Sequence, residues 1–78
     1  MPADGAVNHA GMLRHAYGRR DLAAMRALVA GTPKIVLDEL ARLALHAIRR
    51  ATHSEERRFA GVALLLLGKA GARHPDRD

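Results

Sequence analysis

Three arginine doublets, Arg19–Arg20, Arg49–Arg50 and Arg57–Arg58, are the side chains of this sequence with the clearest chemical capacity. A guanidinium stays charged at any physiological pH and presents its N–H donors as a planar fork. Paired arginines can therefore bind oxyanions, either the carboxylates of an acidic partner or the phosphates of a nucleic acid, the alternative being ordinary solvated charge. The chain as a whole is basic, with 13 Lys+Arg against 8 Asp+Glu and a net charge of +5. That balance admits an anionic partner without selecting one.

The residue types that catalysis needs do not assemble. There is no cysteine, so neither a thiolate nucleophile nor a disulfide framework is available. The only serine, Ser54, stands where a helix cap accounts for it. Asp38 and Glu39 are adjacent and diverge around a helix instead of facing one another as a catalytic pair, and Asp38 has the spacing to pair with Arg42. Of the histidines, His9 and His15 are six apart and His46 and His53 seven apart. Neither interval places two imidazoles on one side of a helix turn, and the arginines near His46 and His53 oppose a divalent cation. Gly68-Lys-Ala-Gly71 closes a helix rather than opening one, unlike a phosphate-binding loop. These spacings predict a protein that is not an enzyme and that needs no metal and no cofactor.

The elements that would carry the arginines follow from length and periodicity. The 78 residues allow one domain with a modest core, and 49% hydrophobic but only 3% aromatic residues favour close helix packing. Nothing alternates with period two. The expected fold is all-α, a small up-down bundle of three to four helices over a single domain, residues 1–78. Residues 1–5, with Pro2 and Gly5, and 72–78, with Pro75, are expected to be flexible.

Four amphipathic segments stand out. The first runs from about Ala6 to Tyr17 with Ala6, Ala10, Leu13 and Tyr17 on one side and Gly18 as the stop. The second runs from Arg20 or Asp21 to Ala30, with Asp21 as cap, Leu22, Met25, Leu28 and Val29 as its stripe, and Gly31 at its end. A third is expected from Pro33 to Ala51 behind a Thr32 N-cap, its broad apolar face formed by Val36, Leu37, Leu40, Leu43, Ala44, Ala47, Ile48 and Ala51. The fourth begins at Thr52 or Ser54, where Thr52-His-Ser-Glu55 has capping-box spacing, and continues to about Ala70.

An up-down order puts the first and third turns at one end of the bundle, which gathers all three doublets there. Arg49 and Arg50, in the last turn of a helix, are accounted for by the macrodipole, whereas Arg57 and Arg58 lie near a helix start, where positive charge is mildly unfavourable. A helix-turn-helix fits poorly, because Arg26 falls at an apolar position and the reading helix would offer Asp38 and Glu39 to phosphates. The second distinctive feature is Val62-Ala-Leu-Leu-Leu-Leu67. With Phe59, Val62, Ala63, Leu66, Leu67 and Ala70 turned inward, Leu64 and Leu65 point elsewhere between Gly61 and Gly68, so this helix is either central or forms a helix–helix interface, as in a homodimer.

The apolar runs are too short to span a bilayer and no secretory signal pattern is visible, so a cytoplasmic protein without a membrane partner is expected. The sequence points to an interaction or regulatory protein with a protein partner, and in the alternative to a nucleic-acid-associated protein using the arginine end.

Overall fold

In a computed structural model of the chain, residues 2–73 are described, with side chains from His9 onward. Four helices follow one another: α1 (Pro2–Arg19), α2 (Leu22–Leu28), α3 (Lys34–Arg50) and α4 (Ser54–Arg73), with a single 3-10 turn, Val29–Gly31, continuing α2. There is no strand among the described residues. The fold is the small all-α bundle that the periodicity requires. Two of its helices are longer at the ends than the glycines and prolines suggest: α1 opens at Pro2, and α4 runs through Gly71 to Arg73. The C-terminal tail beyond Arg73 lies outside the described residues.

The first turn is built around Arg20, not Gly18. The Arg20 amide donates to the Tyr17 carbonyl (3.1 Å) and the Asp21 amide to the Ala16 carbonyl (2.9 Å), the paired bonds of a Schellman motif. That motif needs a left-handed residue after the helix, and Arg20 supplies it at φ 61°. A glycine would fit there without steric cost. Asp21 then caps α2, its carboxylate accepting from the Ala24 amide at 3.1 Å.

Thr32 does not cap α3. Its side chain is fully buried and its hydroxyl donates backward to the Leu28 carbonyl at 2.8 Å. It thus adds a side-chain donor to the carbonyl that opens the 3-10 turn after α2. Pro33 takes the N-cap position, its carbonyl accepting from the Val36 and Leu37 amides, with no side-chain cap. A similar one-residue shift applies at α4. The His53 carbonyl accepts the Arg57 amide, so Ser54 is the first residue inside the helix and the Thr52–Glu55 box is not the cap. The expected Asp38–Arg42 pair is replaced by Lys34–Asp38 at 3.0 Å. That choice places the cation N-terminal to the carboxylate, and at the surface such a pair contributes only a few tenths of a kcal/mol.

The core consists of Ala10, Leu13 and Ala16 from α1, Met25 and Val29 from the second segment, Val36, Leu37, Leu40 and Ala44 from α3, and Ala63 and Leu67 from α4. Helices α3 and α4 make the most extensive backbone approach of any pair. Small residues permit it, since Ala44 on α3 and Ala60, Ala63 and Gly71 on α4 are all buried. The inward face of α4 is therefore rotated from the expected one: Leu64 packs against the core, while Leu65 points outward. Leu43, expected on the inner face of α3, is 49% exposed. α1 crosses this hairpin with Arg14 bonded to Glu39 (3.0 Å) and Tyr17 against Phe59, so its C-terminal end meets the C-terminal end of α3 and the start of α4.

Two stability changes follow. Arg20→Gly removes the left-handed strain and raises stability by about 1 kcal/mol, seen as a higher urea midpoint; an unchanged or lower midpoint contradicts the Schellman reading. Thr32→Val removes this part-buried hydrogen bond and lowers stability by about 1 kcal/mol in the same titration. A neutral effect would show that the hydroxyl is not needed there.

Candidate functional site at the arginine end

The first and third turns do meet. Arg20, leaving α1, reaches Glu56 in the first turn of α4 at 3.4 Å, a solvent-exposed pair that holds the two turns together only weakly. Between them opens a cleft of about 320 Å³ lined by Tyr17, Gly18 and Arg20 from the first turn, Ala47, Arg50 and Ala51 from the end of α3, and Glu56, Phe59 and Ala60 from α4. Its floor is aromatic and alanyl. Its rim carries two guanidinium groups and one carboxylate.

Each arginine has a distinct placement. Arg20 and Arg50 share the cleft, and Arg50 contacts His46 at 3.4 Å. Arg19 turns to the other side of α1, where it lines a groove of about 290 Å³ with Met12, His15 and Leu28. Arg57 donates to the Ala51 carbonyl at 3.0 Å and so closes the C-terminal end of α3, a local structural task that its position in sequence did not reveal. Arg49 and Arg58 are exposed and have no carboxylate within ion-pair distance among the described residues. The doublets thus share an end of the bundle but divide between its faces. Geometry explains the split: adjacent residues on α3 and α4 diverge by about 100°, and Arg20 leaves α1 in a left-handed conformation.

Tyr17 and Phe59 form the part of this site that the arginine pattern did not signal. Their ring centroids are 5.6 Å apart and tilted by 48°, a spacing at which the edge of one ring meets the face of the other. Burial raises the Tyr17 hydroxyl above the ordinary value of 10.0, and the charge of Arg20 opposes that rise. Both effects place the phenol at the cleft with the guanidinium within electrostatic reach. The remaining chemistry is sparse: among the described residues no group of three or more His, Asp or Glu could hold a metal ion.

The second set of residues singled out by sequence lies on α4. Leu64 is half-buried against the core, Leu65 is 65% exposed, and a Cβ placed on Gly61 or Gly68 would meet nothing within 4 Å. Gly61 and Gly68 are therefore open to the outside, and Leu64 is not part of the same strip as Leu65. No helix of the described residues is long and apolar enough to cross a membrane. Comparison with protein-family models, with curated proteins and with solved structures finds no match.

Because Tyr17 is the only tyrosine, its phenolate absorbance titrates the cleft directly. A folded-state pKa raised above the unfolded one means the native protein holds its proton longer. The associated stability is complete below pH 10 and is lost as pH rises through the folded value. Arg20→Gln removes the charge that opposes this rise, so the titration midpoint moves further up. A midpoint that falls or stays fixed places Arg20 away from the phenol.

Proposed function

We propose that this chain is a non-enzymatic interaction protein that binds an acidic segment of another protein at the arginine end. The observation that supports this reading is the shared cleft, in which Arg20 and Arg50 flank an apolar floor made by Tyr17 and Phe59. Such a floor takes the aliphatic or aromatic part of a side chain while the guanidinium groups take a carboxylate. Arg49 and Arg58, without carboxylate partners beside it, extend the positive field that draws an acidic segment in.

A protein partner is favoured over a nucleic acid by the same geometry. Tyr17 and Phe59 are tilted against one another, so their faces are not laid out as a platform for stacked bases.

The test is a tagged pull-down from the native cell with and without nuclease, repeated with Arg50→Gln. The captured protein persists after nuclease treatment, and its affinity for the Arg50→Gln variant falls about tenfold, the loss expected for one charge-assisted hydrogen bond in a partly solvated site. The variant's thermal midpoint stays close to wild type, because Arg50 is exposed. Loss of all capture with nuclease, together with a steep salt dependence of duplex binding, would establish the nucleic-acid alternative. Unchanged affinity of Arg50→Gln removes the cleft from the interface.

A further inference from the structure

The α3–α4 hairpin has two faces, and α1 with α2 covers one of them. At 17 Å in its thinnest dimension the molecule has room for two helix layers. The other face of the hairpin is bare. Its composition follows from the register of the two helices, because a Cβ on Gly71 would lie 3.5 Å from Asp38 Oδ1. Counting back from this contact along antiparallel helices sets Ala41 level with Gly68, Leu45 with Leu64, and Ile48 with Gly61.

Ala41, Leu45 and Ile48 follow one another at four and three residues along α3, so they form one stripe; Gly61, Leu65 and Gly68 do the same on α4. Leu45 is 42% and Leu65 65% exposed, whereas Ile48 and Leu64 are half-buried. The two exposed leucines stand as walls, and the two glycines leave the space beside them open. The result is a shallow apolar groove along the hairpin.

The charges around it are predominantly positive. Arg42 and Arg49 continue the α3 stripe outward, and Arg58 and Lys69 lie in line with Leu65 at seven and four residues on α4. All four are exposed, and none has a carboxylate within ion-pair distance among the described residues. No Asp or Glu occurs between Arg57 and Arg73. The carboxylate closest to this face on α3, Asp38, is bonded to Lys34.

We propose that this face docks an amphipathic helix of a partner protein, one whose apolar stripe is bordered on both sides by acidic residues. Charge complementarity selects that occupant: leucine-type side chains fill the groove beside Gly61 and Gly68, while flanking carboxylates meet Arg42 and Arg49 on one rim and Arg58 and Lys69 on the other. A second copy of this chain brings the same four cations to the same rims and is disfavoured by repulsion. A lipid surface has no ridge to enter the hollow the glycines leave. The groove and the arginine-end cleft have different floors, although Arg49 and Arg58 contribute to the positive field of both.

The glycines make the test unusually clean, because a side chain there fills the groove while helping the helix. The probe is a designed helical peptide with a leucine stripe flanked by glutamates, measured by fluorescence anisotropy against a twin carrying lysines instead. Wild type binds the glutamate peptide about tenfold or more tighter than its twin, and Gly61→Leu and Leu65→Glu each weaken it by about tenfold or more. Gly61→Ala and Gly61→Leu also raise the thermal midpoint by about 4 °C, because each replaces a helical glycine whose Cβ position is empty. Arg50→Gln leaves this peptide's affinity unchanged, which separates this face from the cleft. Equal binding of both peptides, or full binding by the more stable Gly61→Leu variant, overturns the proposal. So does a wild-type dimer in sedimentation that Gly61→Leu dissociates, which would make the occupant a second copy. Adsorption to phosphatidylglycerol vesicles that Leu65→Glu abolishes, without peptide binding, would assign the face to lipid and overturn it equally.

Discussion

The close approach of α3 and α4 rests on the lack of bulk along one stripe of α4, where Ala60, Ala63 and Gly71 alternate with Leu67. With Ala44 opposite, the two backbones come near enough for a chain with 3% aromatic residues to fill the space between them. Large side chains are then placed where the hairpin meets α1 and α2, at Leu13, Met25, Leu37 and Leu67, all fully buried. Rotating α4 to bury its alanines has a second effect. It turns Leu65, Gly61 and Gly68 to the outside and makes the back of the hairpin apolar.

The same seam sets the arginine end. Because α3 and α4 are tightly joined by the short connection 51–53, the end of α3 and the start of α4 present Arg50, Glu56 and Phe59 to one side. The Schellman turn after α1 then delivers Tyr17 and Arg20 against them. Four carboxylates are occupied: Asp21 caps α2, Glu39 holds Arg14, Glu56 holds Arg20, and Asp38 holds Lys34, while Glu55 stands exposed in the first turn of α4. Much of the positive charge is not matched by carboxylates, and it is distributed over two surfaces with apolar floors. That pairing of cation and apolar surface supports the proposed binding of acidic segments.

Most of the architecture was legible in the sequence because period and punctuation agree. The stripes of α2 and α3, the Asp21 cap and the meeting of the first and third turns follow from spacing and up-down order alone. What was not legible depends on contacts between distant residues. Nothing local distinguishes Arg20 as the left-handed residue when Gly18 lies two positions earlier, because the position of the turn is fixed by how Ala16 and Tyr17 seat on the hairpin. Thr32 has the chemistry of an N-cap, and only burial decides that its hydroxyl serves the preceding helix. Leu64 and Leu65 look alike in a run of four leucines, and the choice between them follows from the alanine and glycine stripe that faces α3. The Tyr17–Phe59 contact joins residues far apart in sequence, and no spacing rule signals it.

The α3–α4 seam is the structural unit on which both proposed binding surfaces are mounted, with α1 and α2 added to one side. Native-state amide hydrogen exchange measures it residue by residue. The account predicts that amides from Leu37 to Ala44 and from Ala60 to Leu67 share the slowest exchange and open together, while those of α2 exchange faster. Independent opening of α4, with the slowest amides in α1 and α2, would contradict it.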